Sequence, residues 1–398
     1  MTHFRLTVLL LAAGSALGVA ADLPPLELGA KSAIIVEAST GIPVFEKDAD
    51  AKRFPASTTK IMTALLLLER TRPSEVIFAP EDVETVTGSS LHLKPFEAVT
   101  AHDLLFALMV RSANDGAYAI ARHVSGSVEK FAELMNEKAK ALGCTNTHFT
   151  NPHGLHDDLH YTTARDLIRI AREAWKRDEF RVAAGTTKYE VSRTLNLEDS
   201  VLISRNRALR SDPPSEGIKT GFTRPAGQCF VGSATREGLQ FLTVVLGSED
   251  WYGDHQAMIE WAFANFELQE VVKKGVAAAS VKVQGGVEEQ IELLYSESVK
   301  APVPKGASLT ELVASSVPQA IKAPIGKDQA VGTVRVTNGS GWSEELPLIA
   351  AHEVRQQFRI AGQSVETIGF ALIAGGLGLG TLYVKNRARK LSRGFRGR

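Results

Sequence analysis

The sequence predicts an α/β body, an antiparallel sheet covered by helices with a helical subdomain, followed by a small all-β domain and a C-terminal transmembrane helix. Three observations predict it. A strand pair near the start is followed by a run of helices, then by three strands and a last helix, an order that suits one sheet covered by helices. After about Leu268 the texture changes to short apolar runs separated by turn residues, which reads as a β-rich unit. Close to the end lies an uncharged apolar stretch followed at once by a dense cationic tail.

Composition bounds the rest. The chain has 398 residues, 44% hydrophobic and 23% charged, with 45 basic and 45 acidic side chains and two cysteines. That length suits about two domains, and the apolar content is enough for a core. Two cysteines cannot build a Cys-rich zinc site or a disulfide scaffold, and a zero net charge gives no sign of a nucleic-acid binder. The balance hides an asymmetry. Residues 385–398 carry seven basic side chains and no acid, and residues 1–20 carry only Arg5. Setting those aside leaves 37 bases against 45 acids, so an acidic body ends in a cationic tail.

Residues 6–20 form an apolar run after a single Arg and close on the small residues Gly18, Val19, Ala20 and Ala21. This has the shape of a secretory signal, with 1–20 removed; the competing reading is a first helix that stays in the membrane. At the other end, 364–384 is the expected transmembrane helix, and no side chain from 367 to 384 is charged. At ~1.5 Å per residue that uncharged run reaches ~27 Å, near the minimum for a bilayer core. The basic tail 385–398 is then cytoplasmic and the body lies on the periplasmic or extracytoplasmic side of a bacterial membrane, crossed once. In such an oxidising compartment Cys144 and Cys229 are open between a pair and two free thiols.

Within the body, residues 32–36 read as a strand, Thr40-Gly41 as a turn, and Val44-Phe45 as the returning partner. Residues 57–70 are apolar nearly all round, the mark of a helix buried at a domain centre. Further helices are expected over 100–110, 116–124, 127–142 and 163–176, with a polar break at 111–115 and a loop at Asn151-Pro152-His153-Gly154. Strands resume at 218–222, 228–235 and 239–245, and 254–266 is a helix. In the β-rich part, 281–283, 291–295, 332–336 and 346–349 are the expected strands. The expected domains are therefore 24–266 and 268–358.

Three short motifs occur in order: Ser57-Thr58-Thr59-Lys60, Ser112-Ala113-Asn114 and Lys219-Thr220-Gly221. Each is weak alone. Ser127-Val128-Glu129-Lys130 repeats the first pattern and Ser204-Arg205-Asn206 the second, but Ser127 opens an ordinary surface helix and Asn206 lies only 13 residues before Lys219. Ser57, by contrast, opens the most apolar helix, Ser112 breaks two helices, and Lys219 lies on a strand.

The chemistry of the triple follows from residue types. A serine hydroxyl needs a base, and helical positions i and i+3 share a face, so Lys60 can approach the Ser57 oxygen. Burial on an apolar helix disfavours the ammonium form of Lys60, and a second cation at Lys219 disfavours it further. The N–H of Ser57, at a helix N-terminus, can face a developing oxyanion. Lys219 and Thr220 can bind a carboxylate, and Gly221 removes a side chain where a substrate backbone would lie. Ser112 can relay a proton to a leaving amine, and Asn114 can hold a substrate amide. Serine and lysine carry such chemistry without a metal or organic cofactor.

On these motifs the chain resembles the low-molecular-mass penicillin-binding serine D-alanyl-D-alanine carboxypeptidases. The resemblance spans about residues 24–266 and includes Phe54-Pro55-Ala56-Ser57, Ser89-Ser90-Leu91, Asn151-Pro152-His153-Gly154-Leu155, the segment 160–167 and Gly217-Ile218-Lys219-Thr220-Gly221. The β-rich part and the C-terminal anchor also look like that family. It implies removal of the terminal D-alanine from peptidoglycan stem pentapeptides through an acyl-serine, with β-lactams as inhibitors. It implies Ser57 as nucleophile, Lys60 as base and Ser112 as proton relay. Asn114, Lys219 and Thr220 would contact substrate, and the N–H groups of Ser57 and Phe222 would form the oxyanion hole. Two departures stand out: Ala113 where many relatives have glycine, and Phe222 where they often have histidine. A cross-link-cutting endopeptidase, a serine β-lactamase and a non-catalytic wall scaffold share parts of the pattern. No E-x-x-x-N pattern lies between Asn114 and Lys219, as a class A β-lactamase would have.

Overall fold

A computed structural model describes residues 23–210, 215–339 and 341–357, together with the strand pair 359–360 and 363–364. Both the expected signal at 1–20 and the tail at 385–398 lie outside the described residues, as does the expected span from 365 on; Ser364 falls in the short strand Gln363–Ser364. Among the described residues no helix is long and apolar enough to cross a membrane.

The chain divides into two compact units, one of residues 1–269, 300–312 and 337–343, the other of 270–299, 313–336 and 344–398. The first unit begins with β1 (Ser32–Glu37) and β2 (Pro43–Lys47), then α1 (Lys60–Arg70). A small ribbon of β3 (Val76–Phe78) and β4 (Ala98–Thr100) precedes α2 (Ala101–Phe106), α3 (Asn114–Ser125), α4 (Val128–Ala141), α5 (Ala164–Trp175) and α6 (Asp178–Gly185). A second ribbon, β5 (Lys188–Glu190) and β6 (Val201–Ile203), leads to β7 (Ser215–Thr223), β8 (Gly227–Arg236) and β9 (Leu239–Ser248), and α7 (Trp251–Asn265) follows.

The main sheet runs β2-β1-β9-β8-β7, antiparallel throughout. The first strand therefore pairs with the last-formed hairpin, and β7, which carries Lys219-Thr220-Gly221, is an edge. Alternation along the strands explains why both faces are covered. Ile34 and Val36 join a core with α1, whereas Ala33 and Ile35 join a second core with Met258, Ile259 and Phe263 of α7. The first core engulfs α1: Ile61, Ala64, Leu65 and Leu66 are fully buried. A helix apolar on all sides has to lie inside a domain, and this one does.

In the second unit, β11 (Ala277–Gln284), β12 (Gln290–Tyr295), β14 (Val313–Ser316), β15 (Ala320–Lys322), β16 (Ala330–Thr337) and β17 (Ser343–Ala350) form a six-stranded sheet ordered β14-β16-β17-β12-β11-β15. Val281, Ile291, Leu293, Val334, Val336 and Leu348 are buried and supply its core. Two further strands, β10 (Phe266–Val272) and β13 (Val299–Pro304), pair with each other, and most of their residues, 266–269 and 300–304, belong to the first unit.

Two expectations are corrected in detail. Ser57 does not open the α-helix. It sits in a 3-10 turn, Ala56–Thr59, and the α-helix begins at Lys60. The cause is local: Ala56 has φ +48° and the Pro55 carbonyl accepts from Thr58 Oγ1 at 2.6 Å, so the chain winds tightly before relaxing. The stretch expected as one helix over 100–110 is α2 followed by a π-helical turn, Ala107–Arg111, which ends at Ser112 with φ +63°. The decoy Ser127 is the N-cap of α4, its Oγ accepting from the Lys130 N–H at 3.2 Å.

Candidate active site

Lys60 is the first residue of α1 and is fully buried. Its Nζ lies 3.1 Å from Ser57 Oγ, 2.7 Å from Asn114 Oδ1 and 2.7 Å from the His153 carbonyl oxygen. The expected i, i+3 approach is thus present, reached across the 3-10 turn. Burial, with the Lys219 charge second, pushes its pKa well below the usual lysine value. A neutral amine has two N–H donors and one lone pair. Asn114 Oδ1 and the His153 carbonyl are acceptors only, so they take the two N–H groups. In that neutral form the lone pair would be left for the Ser57 hydroxyl, the arrangement a base requires.

The orientation of Asn114 is set by its own surroundings. Its Nδ2 donates to the Thr87 carbonyl at 2.7 Å, and its backbone N–H to the Ser89 carbonyl at 2.7 Å. Asn114, expected to hold a substrate amide, makes one protein contact at each end of its side chain, which leaves a second Nδ2 hydrogen and a second Oδ1 lone pair uncommitted. The next residue, Asp115, accepts from Ser90 Oγ, Leu91 N and Leu93 N at 2.6, 2.9 and 3.0 Å, and so pins the loop that carries Ser89. Arg111 adds a bidentate pair with Asp199 at 2.8 and 3.0 Å, and its Nε donates to the Ser90 carbonyl. The hydroxyl of Ser112, held between these ties on a left-handed backbone, has no hydrogen-bond partner among the described residues.

Across the cleft, Lys219 is 2% exposed and burial alone pushes its pKa down to about 7. Its Nζ donates to the Thr220 carbonyl at 3.0 Å. Gly221 stands so close to the Ser57 turn that a Cβ there would lie 2.9 Å from Ser57 N and 3.1 Å from Thr58 N. The missing side chain makes room for that turn, a reason the sequence reading, which reserved the space for substrate, did not contain. Phe222 is exposed at the rim.

A cleft of about 490 Å³ is lined by Ser57, Ser89, Ser112, Lys219, Thr220 and Phe222 among others. The structure thus brings the three motifs to one place, with Lys60 and Asn114 buried behind the lining. It also brings Ser204, Arg205 and Asn206 to the cleft, the segment dismissed above as a decoy. The turn Arg207–Arg210 packs against β7, which is what carries 204–206 into the wall. Thirteen residues of chain gave no sign of it.

Sequence reasoning also missed the work of residues 150–163. The His153 carbonyl holds Lys60, and the Pro152 carbonyl accepts from Thr63 Oγ1 at 2.5 Å. Asn151 Oδ1 accepts from the Gly154 N–H at 2.7 Å and so shapes this loop. Gly154, at φ +85°, abuts the Ala56 carbonyl, where a Cβ would fall 1.8 Å from the oxygen. The signal available was Asn151-Pro152-His153-Gly154 itself, a turn-rich string that also belongs to the family resemblance, though nothing in it says which carbonyl meets Lys60. Cys144 and Cys229 are both buried free thiols.

Comparison with known proteins shows which family this chain resembles along most of its length. A family model described as D-alanyl-D-alanine carboxypeptidase matches residues 18–250, and one described as penicillin-binding protein 5, C-terminal domain, matches 266–356. The chain is 32% identical over 337 residues to D-alanyl-D-alanine carboxypeptidase DacF of Bacillus subtilis, covering 82% of this chain and 86% of that protein. It is 30% identical over 349 residues to DacA of Escherichia coli K12, covering 82% and 84%. Among solved structures, penicillin binding protein 5 of Haemophilus influenzae superposes with a TM-score of 0.70 at 25% identity, covering 84% of this chain and all of that one. DacD of Francisella tularensis gives the same TM-score and identity, covering 83% and 95%.

Proposed function

The chain belongs to the serine-type D-alanyl-D-alanine carboxypeptidase family, and we propose that Ser57, Lys60 and Ser112 carry its reaction. The observation that carries this reading is the Lys60 amine, 3.1 Å from Ser57 Oγ with both other contacts made to pure acceptors. Ser57 Oγ attacks the carbonyl of the penultimate D-alanine while its proton passes to Lys60. The negative oxygen is met by the N–H groups of Ser57 and Phe222. As the C–N bond breaks, the proton reaches the leaving D-alanine amine, relayed by Ser112, whose uncommitted hydroxyl suits that task. Water then attacks the acyl-serine with Lys60 again as base, and the shortened peptide leaves. The cation of Lys219 and the hydroxyl of Thr220 hold the free carboxylate of the substrate. We assign Asn114 to orienting Lys60.

The substrate in this reading is the peptidoglycan stem pentapeptide, and a β-lactam acylates the same serine. The body works outside the cytoplasm, delivered by the apolar run at 6–20 and anchored through 364–384 with its basic tail inside; the support for this is the charge pattern of the ends. Membrane fractionation and protease protection of a tagged tail test the placement. Mass spectrometry after penicillin treatment tests the chemistry: the adduct is expected on the peptide containing Ser57, and D-alanine release from an acyl-D-Ala-D-Ala peptide is expected to vanish in Ser57→Ala. An adduct on another serine, or unchanged release, refutes the assignment.

A further inference from the structure

Behind the nucleophile lies a chain of hydrogen bonds that none of the three motifs accounts for. The N–H of Thr150 donates to His160 Nδ1 at 3.0 Å, which leaves the imidazole proton on Nε2. His160 Nε2 lies 2.8 Å from Thr59 Oγ1, and Thr59 Oγ1 donates to the Ala56 carbonyl at 2.8 Å. Thr59 therefore accepts from the histidine and donates to Ala56, so the three bonds run in one direction. They end on the residue before Ser57. Ala56 has φ +48°, a backbone conformation that residues with a Cβ rarely adopt. The same carbonyl is roofed by Gly154, so the turn is braced from two sides.

We infer that His160 is a positioning residue: acting through Thr59, it holds the left-handed turn at Ala56 that aims the Ser57 hydroxyl at Lys60. His160 and Thr59 are 101 residues apart in sequence and both are buried, so neither can touch substrate. Thr59 shares the turn Ala56–Thr59 with the nucleophile, and a change in the Ala56 peptide rotates Ser57 directly. The imidazole suits the link because it accepts on one side and donates on the other, which an aliphatic residue cannot do. Burial holds its pKa down to about 3, so the one-way pattern persists at neutral pH. A doubly protonated ring would set an N–H against the Thr150 N–H and break the first bond.

This inference rests on Ser57 being the nucleophile. The test uses the full chain and compares Thr59→Val, which keeps shape and removes the hydroxyl, with Thr59→Ser, which keeps the hydroxyl, and with His160→Leu. A chromogenic cephalosporin gives the acylation rate, and end-point labelling with penicillin gives the fraction of competent protein. Thr59→Val and His160→Leu are expected to lower the rate per labelled site by ~10–100-fold, as small misplacements of reacting groups do. The labelled fraction and the pH of the acid limb should stay as in the unaltered protein, and Thr59→Ser should restore most of the rate. If Thr59→Val lowers only the labelled fraction and each labelled site reacts at the original rate, the residues merely support the fold and the inference fails. If His160→Leu does not fold, the Thr59 pair decides alone. An adduct mapped away from Ser57 in the unaltered protein would instead overturn the nucleophile reading beneath it.

Discussion

Gly221 and Ser57 face each other so closely that a single methyl group on the glycine would lie 2.9 Å from the serine amide nitrogen. The edge strand β7 and the nucleophile turn are thus set at their distance by the absence of one carbon. Gly221→Ala is expected to push the strand from the turn. Because both Lys219, the proposed carboxylate contact, and the rim residue Phe222 ride on that strand, the acylation rate should fall by ~100-fold. The rate of penicillin labelling checks this; a rate within experimental error of the unaltered protein would show that the contact is relieved elsewhere.

Two lysines with lowered pKa values make opposite demands on pH. In the proposed reaction Lys60 acts neutral, so activity should rise as pH rises through its lowered pKa. Lys219 acts charged, and burial brings its pKa to about 7 in the free protein, so kcat/KM should fall as pH rises past about 7. A bound carboxylate favours the ammonium form of Lys219. The basic limb of kcat should therefore lie at higher pH than that of kcat/KM. Steady-state profiles of D-alanine release from an acyl-D-Ala-D-Ala peptide measure both limbs; coincident basic limbs would remove Lys219 from carboxylate binding.

Acid should destabilise the first unit through its histidines. Burial holds the pKa of His153, His160 and His255 each at about 3. The unfolded chain takes up protons below ~6.5, where the folded one refuses them, so stability is lost as pH falls from about 6.5 towards 3. At pH 5 each such group withdraws about 2 kcal/mol. Urea unfolding at pH 7 and pH 5 should show the loss, and His255→Gln, distant from the Lys60 contacts, should shrink it. An equal loss with and without His255 would mean that this ring is protonated when folded.

Ser112 combines a left-handed backbone, φ +63°, with a hydroxyl that has no partner among the described residues. Ser112→Gly should relieve the backbone by up to ~1 kcal/mol and leave the melting temperature the same or higher. The proton relay is lost, so kcat should fall by ~100-fold or more. Calorimetry beside turnover checks the split; a variant that keeps kcat would take Ser112 out of the relay.

Much of the candidate site was readable along the chain because helical spacing and apolar burial act locally. Ser57 and Lys60 approach each other within one turn, and the run from Ile61 to Leu67 announces that the lysine is desolvated. The order of a strand pair, helices, and the strand run after Ile218 likewise predicts one sheet covered by helices. What stayed hidden depends on neighbours far apart in sequence. The ties of Asn114 to Thr87 and Lys60, 27 and 54 residues away, are not legible in the motif itself. Ser204-Arg205-Asn206 reads as chance until the packing of Arg207–Arg210 against β7 carries it to the cleft.

The amino-acid order alone determined which groups were available: a serine, two lysines able to lose or hold a proton, and a glycine on an edge strand. Tertiary structure decided their states and aims. Only the packing of the first core around α1 strips water from Lys60, and only the loop 150–163 supplies the carbonyl at His153 and the imidazole at His160. Desolvation and hydrogen-bond direction are properties of surroundings, and a chain read in order does not contain its surroundings.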